Sequence, residues 1–173
     1  MRNVMGKEDT AFTIQYDFCM PERFGLVYTD SEGKEKQPVV IHRSSIGAIE
    51  RTFALLIEHY AGAFPLWLSP VQVQFVPVSQ THVAGTQALV QAFRQAGIRV
   101  AVDTADETVG NKVRKAVQQK VPYIVVLGDK ELAGDDWCVR MRDKQEPVHI
   151  PSTIFLDKLK GLILSRQKDL TLF

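Results

Sequence analysis

The stretch "VVIHRSSIGAIERTFALLIEHYAGAFPLWLSP", Val39 to Pro70, decides how the rest of the chain is read. It runs from a β-branched strand end carrying His42 and Arg43, through a serine turn, into an apolar helix pattern that contains Arg51, and stops at a proline-bracketed aromatic cluster. Ile46, Ile49, Phe53, Leu56 and Ile57 keep helical spacing, with Ser44 or Ser45 available as N-cap. Strand patterns precede this stretch and alternating strand and helix follows it, so a division near Trp67 is expected.

Ahead of the stretch, "DTAFTIQYDFCM", "RFGLVYTD" and "QPVVIHR" alternate apolar and polar side chains, and "SEGK" is a turn signal between the last two. Three consecutive strands predict an antiparallel meander with unpaired edges. Three strands and one helix make only part of a domain, and "MRNVMG" is expected to start inside a strand.

Beyond Trp67, "VQVQFVPV" reads as a strand, "THVAGTQALVQAFRQAG" as a helix stopped by Gly97, and "IRVAVD" as a strand. "TVGNKVRKAVQQK" is a helix, and "VPYIVVLG" is an apolar run suited to a buried central strand. "DWCVRMRDK" and "EPVHI" read as a hairpin, followed by a helix with Pro151 at or near N1. The fold class is therefore α/β: a mixed sheet with flanking helices, partly parallel, preceded by a partial antiparallel sheet and its helix.

Composition narrows the function classes. Of 173 residues 45% are hydrophobic and 24% charged, enough for a packed core. No long apolar run suggests a membrane span, and no secretory signal is visible. Cys19 and Cys138 stand far apart with no zinc-knuckle spacing, which fits a reducing cytoplasm. Met1 to Trp67 carries 7 basic and 9 acidic residues and Leu68 to Phe173 carries 14 and 11, so the second part is mildly basic and suits an RNA partner.

The residues also carry a resemblance. "IHRSSIGAIER" followed by "LLIEHYAGAFPLWLSPVQV" resembles the third signature motif of the threonyl-tRNA synthetase family and its junction with the anticodon-binding domain. "AFTIQYDFCMPERFGLVYTDSEGKEKQPVV" resembles the strands leading into that motif, and "AGIRVAVDTADETVGNKVRKAVQQKVPYIVVLGDKE" resembles the core of the anticodon-reading domain. The resemblance covers essentially the whole chain, and the histidine immediately before the arginine at the strand end is its most specific feature. It implies the C-terminal portion of such an enzyme: residues 1–67 from the class II catalytic domain, residues 68–173 the anticodon-binding domain.

What the resemblance implies for single residues stands beside plainer readings. His42 alone reads first as a structural histidine; the resemblance makes it one of three protein ligands to zinc, the other two lying upstream. An open zinc position suits threonine, whose amino and hydroxyl groups both coordinate, and discriminates against valine. Arg51 alone is a surface arginine on an amphipathic helix; by resemblance it lies over the adenine of ATP and balances phosphate charge. Gln15 is an exposed strand residue or, by resemblance, a hydrogen-bonding member of the same site. Gly47 serves packing or the close approach of nucleotide. Ala48 stands where relatives often carry serine.

Asp106, Glu107, Lys112, Arg114, Lys120, Glu131 and Arg140 match positions that in the family face or support the anticodon loop, where carboxylates and guanidinium groups read unstacked bases and cations hold phosphates. Each reads equally as a solvated surface charge. Asp106 and Thr108 depart from the asparagine and lysine common in relatives, and an Asp lacks the two N–H donors of an Asn.

The resemblance further implies threonine, ATP with magnesium, zinc and a threonine-accepting tRNA as ligands, a homodimeric whole enzyme, and no aminoacylation by this chain alone. Two other classes compete: a non-catalytic tRNA- or RNA-binding module, and a small nucleotide-binding α/β domain. The second lacks any GxGxxG or P-loop after a strand.

Overall fold

The apolar run Tyr123–Leu127 (β7) is the middle strand of a five-stranded sheet, between Val73–Pro77 (β5) and Asp136–Met141 (β8), with Val100–Val102 (β6) and Val148–Pro151 (β9) at the edges. A computed structural model describes residues 1–172 of the chain. β5 runs parallel to both β6 and β7, while β8 and β9 continue the sheet antiparallel. Parallel neighbours need long crossovers, and two helices supply them: Val83–Gln95 (α3) and Val109–Gln118 (α4). Thr108 caps α4 by accepting from the Asn111 amide, and Gly97 takes φ +77° just beyond α3, the left-handed stop expected there.

Period-two alternation sends the sheet's side chains to two cores. Val73, Phe75, Tyr123, Val125, Trp137 and Val139 pack with Phe93 of α3 and with Phe155 and Leu159 of the last helix, Ser152–Ser165 (α6), whose N-cap is Pro151. Val76 and Ile124 face the other way, onto Ala116 of α4. Phe93 stacks on Trp137 at 5.8 Å and meets Phe75 edge-on at 5.3 Å, contacts worth about 0.5–1.5 kcal/mol each beyond the area they bury.

Compactness divides the chain between Ala61 and Gly62, ahead of Trp67. The reason lies in the segment that follows. Leu66 is buried in the second core, Arg142 Nη1 donates to the Phe64 carbonyl at 2.9 Å, and Arg99 donates to the Trp67 and Ser69 carbonyls. Gln72 Nε2 binds the Leu66 carbonyl.

The first unit departs from the expected meander. Thr13–Asp17 (β1) pairs with Val40–Ser44 (β4), and Tyr28–Thr29 (β2) pairs only with Glu35–Lys36 (β3). Asp17 explains the change: its Oδ1 accepts from the Cys19 and Met20 amides, opening the short helix Cys19–Arg23 (α1) and turning the chain away from β1. Met1 to Asp9 is closed on itself by an Arg2–Glu8 bridge and is not a strand interior. The helix Ile49–Tyr60 (α2) starts after Ala48. Ser44 Oγ instead accepts from the Gly47 amide within the preceding turn. No residue of α2 is buried, and Phe12, Ile14, Tyr16, Ile41 and Phe53 are exposed.

Candidate nucleic-acid interface

Three parallel strands end together, at Pro77, Val102 and Leu127; beyond these ends lie Asp106 and Glu107 in the loop after β6 and Glu131 in a short helix after β7. Brackets of backbone at the carboxyl ends of parallel strands are where α/β sheets place their ligand-binding side chains. Lys112 is 2% exposed and donates from Nζ to the Pro77 carbonyl at 3.1 Å. It therefore supports the edge from inside and does not face solvent.

Glu131 belongs to the short helix Asp129–Ala133 (α5), which the sequence reading missed. Its carboxylate accepts from the Gly128 amide at 3.0 Å, and its carbonyl accepts from the indole N–H of the buried Trp137 at 3.1 Å. The carboxylate and the backbone of Glu131 are thus each held by one hydrogen bond. His82, in a 3-10 turn after β5, joins the same edge through Asp129, 3.0 Å from Nε2. Nδ1 takes the Ser79 amide, which leaves Nε2 as the protonated nitrogen.

Glu107 is engaged. Its Oε2 accepts from Asn111 Nδ2 and lies 3.0 Å from Lys115 Nζ, which is also 3.0 Å from Asp103 Oδ2. Burial raises the Asp103 pKa, but the Lys115 ammonium and the Ala105 amide outweigh it and hold the carboxyl below its ordinary value. Two carboxylate partners raise the pKa of Lys115. Arg114 lies on the outer face of α4 and donates to Asn111 Oδ1 at 2.8 Å. Asp106 is exposed and has no partner among the described residues.

The remaining two expected residues lie elsewhere. Arg140 projects from β8 opposite Ile124, on the α4 side of the sheet, beside a cleft of about 200 Å³ that Val113, Val117 and Lys144 also line. It is exposed. Lys120 sits before β7, at the opposite end of the strand from Glu131, with φ +55° and its carbonyl accepting from Arg142. The seven positions therefore form an edge cluster, an outer helix face, a flanking cleft and a distant lysine. Lys115, Asn111 and Asp103 are not legible in the sequence because polar residues of a helix and of the loop before it look like an ordinary solvated surface.

The first unit gathers the other expected residues. Gln15 and His42 are directly opposed in the β1–β4 register, so their side chains leave the same face. Asp17, two residues along, places Oδ2 2.9 Å from His42 Nε2; the Met20 amide first, then His42, lowers its pKa. Gly47 has φ +70°, and a Cβ there would lie 3.1 Å from the Ala11 carbonyl oxygen. Arg51 Nη1 donates to the neighbouring Thr10 carbonyl at 3.3 Å. Among the described residues no three His, Cys, Asp or Glu side chains converge, so these residues do not make a zinc site by themselves. No helix of the described residues is long and apolar enough to cross a membrane.

Residues 72–162 match the family model "Anticodon binding domain", and residues 1–60 match "tRNA synthetase class II core domain (G, H, P, S and T)". The threonine–tRNA ligase of Clostridium botulinum is 45% identical over 167 residues, 96% of this chain and 26% of that protein. That of Thermotoga petrophila is 42% identical over 170 residues, covering 98% and 27%. The chain spans about a quarter of the length of these relatives. A crystal structure of the RNA binding domain of threonyl-tRNA synthetase from Cryptosporidium parvum Iowa II superposes with a TM-score of 0.72 at 29% identity, covering 97% of this chain and 42% of that one. With a mixed five-stranded sheet, its helices and a match over more than half its length, the chain belongs to the anticodon binding domain family.

Proposed function

We propose that this chain is the part of a threonine–tRNA ligase that reads the anticodon of a threonine-accepting tRNA and lends one wall to the site where threonine is activated. The observation that carries the reading is the charged edge beyond Pro77, Val102 and Leu127, within the region that matches the anticodon-binding family. There a hydrogen-bonded Glu131 and an unpartnered Asp106 offer acceptors for base N–H groups. Arg140 adds an exposed guanidinium in the flanking cleft, and Arg114 and Lys120 offer cations for phosphates.

In the whole enzyme, threonine attacks the α-phosphate of ATP, giving threonyl-adenylate and pyrophosphate, and the threonyl group then passes to the 3′ end of tRNA. Arg51 holds the adenine face and offsets phosphate charge. Gln15 offers an amide to the substrate, and Gly47 lets backbone approach the nucleotide. Magnesium accompanies ATP, and no carboxylate of this chain is assigned to it. His42 supplies at most one nitrogen to zinc, the remaining ligands coming from the longer protein. A homodimer and a cytoplasmic setting complete the reading.

By itself the chain is a tRNA-binding module without chemistry, in keeping with a first unit whose helix buries nothing. Equilibrium binding of the chain to threonine-accepting tRNA, beside ATP–pyrophosphate exchange, tests both halves. Binding without exchange is expected. Indifference to the anticodon sequence would overturn the reading.

A further inference from the structure

The loop between β6 and α4 is stapled at two points by one side chain. Lys115 Nζ bridges Asp103 Oδ2 and Glu107 Oε2, both at 3.0 Å. Asp103 Oδ1 accepts from the Ala105 amide at 3.1 Å, Asn111 Nδ2 donates to Glu107, and Gln80 Nε2 donates to the Thr104 carbonyl at 3.1 Å. Every residue from Asp103 to Glu107 is tied to a neighbour except Asp106, which stands between the two stapled carboxylates. Three carboxylates within five residues would repel one another and any RNA phosphate. Lys115 engages two of them and offsets one unit of their charge, with the buried Lys112 close enough to act on Asp103 as well.

We propose that Lys115 is a positioning residue for base recognition: by engaging Asp103 and Glu107 it leaves Asp106 as the one loop carboxylate without a partner, free to accept from an N–H donor of an anticodon base. This rests on the anticodon reading above. An ionised aspartate accepts and cannot donate, so the loop selects a base edge that presents an amino or imino hydrogen. Glu107, expected from sequence as a reader, becomes part of the frame. Lys115 is not a phosphate ligand, because both its carboxylates are within the loop.

The test uses the full 173-residue chain and two anticodon stem-loop RNAs, one with the threonine anticodon and one with a single anticodon base changed. Lys115→Met is expected to shrink the affinity ratio between the two RNAs about tenfold, the scale of one lost base contact, with the salt slope kept near the wild-type value. Lys115→Arg restores the ratio. The pair Lys115→Met/Asp103→Asn keeps the net charge of the wild type and is expected to lose discrimination equally, which separates geometry from charge. Without RNA, amide exchange at Ala105 and Asp106 should quicken in Lys115→Met. An equal loss for both RNAs with a slope lowered by about one makes Lys115 a phosphate contact and overturns the proposal. Unchanged discrimination with quickened exchange makes the bridge purely structural and overturns it too. Should Lys115→Met not fold, Asp103→Asn alone breaks one arm and must reduce discrimination. A wild-type chain blind to the anticodon sinks the underlying function instead, a distinct result.

Discussion

His42 Nε2 and Asp17 Oδ2 lie 2.9 Å apart across the β1–β4 pair, and Gln15 leaves the same face of that ribbon. The expected zinc nitrogen thus already holds a carboxylate, and no third donor converges on it among the described residues. Tetrahedral zinc needs more than this pair offers. After dialysis against buffered zinc, metal analysis of the chain should find far less than one equivalent. Stoichiometric zinc would mean that the ligands lie within these residues.

Arg140 and Lys120 occupy different places and should fail differently. Arg140→Ala should weaken binding of threonine-accepting tRNA by roughly 1–3 kcal/mol and relax anticodon discrimination, as expected of a base contact. Lys120→Ala should lower affinity for every tRNA and flatten the salt dependence. Equal effects of both on discrimination would remove the distinction.

Arg51 reports on the other unit. In the full-length enzyme, Arg51→Ala should suppress ATP–pyrophosphate exchange and leave tRNA affinity nearly intact. Gly47→Ala should also be costly: φ +70° and the Ala11 carbonyl together oppose a side chain, at about 1–2 kcal/mol for the backbone conformation alone. Exchange at the parent rate in Arg51→Ala would end the third-motif assignment.

Lys112 is structural by burial, and its removal leaves the Pro77 carbonyl without a donor. Lys112→Met should cost about 1–3 kcal/mol in urea unfolding, the penalty of an orphaned buried acceptor. A tRNA affinity lowered with stability unchanged would instead assign Lys112 a direct contact.

Asp103 gives a pH signature. Its folded pKa lies below the ordinary 3.8, so its stabilising contribution is complete above that value and is lost as pH falls through the lower folded value. The acid limb of the wild-type unfolding curve should therefore be steeper than that of Asp103→Asn. Superimposable limbs would show the bridge to be absent in solution.

Local signals were read well where one element contained its own answer. The helix of α4 announces itself in Thr108 and its apolar spacing, β7 in five apolar residues, and the end of α3 in Gly97. Pairing was not so legible: β1 meets β4 because Asp17 diverts the chain into α1, a choice between two local hydrogen-bond patterns of similar strength. The interface follows the same rule. Arg140 and Glu131 stand out as charges in strand and turn settings, whereas the burial of Lys112 and the Lys115 bridge arise only when α4 is laid on the sheet.

Trp137 has one consequence for how such experiments can be read out. The chain has two tryptophans, and this one is buried against Phe93 while its indole N–H binds the backbone of Glu131. The fluorophore is therefore tied to the backbone of the short helix whose carboxylate we propose meets RNA. Any pull on α5 alters the hydrogen bond of the excited indole, so emission wavelength and quenching track occupancy of the edge without a label. Replacing Trp67 by Phe would isolate that signal.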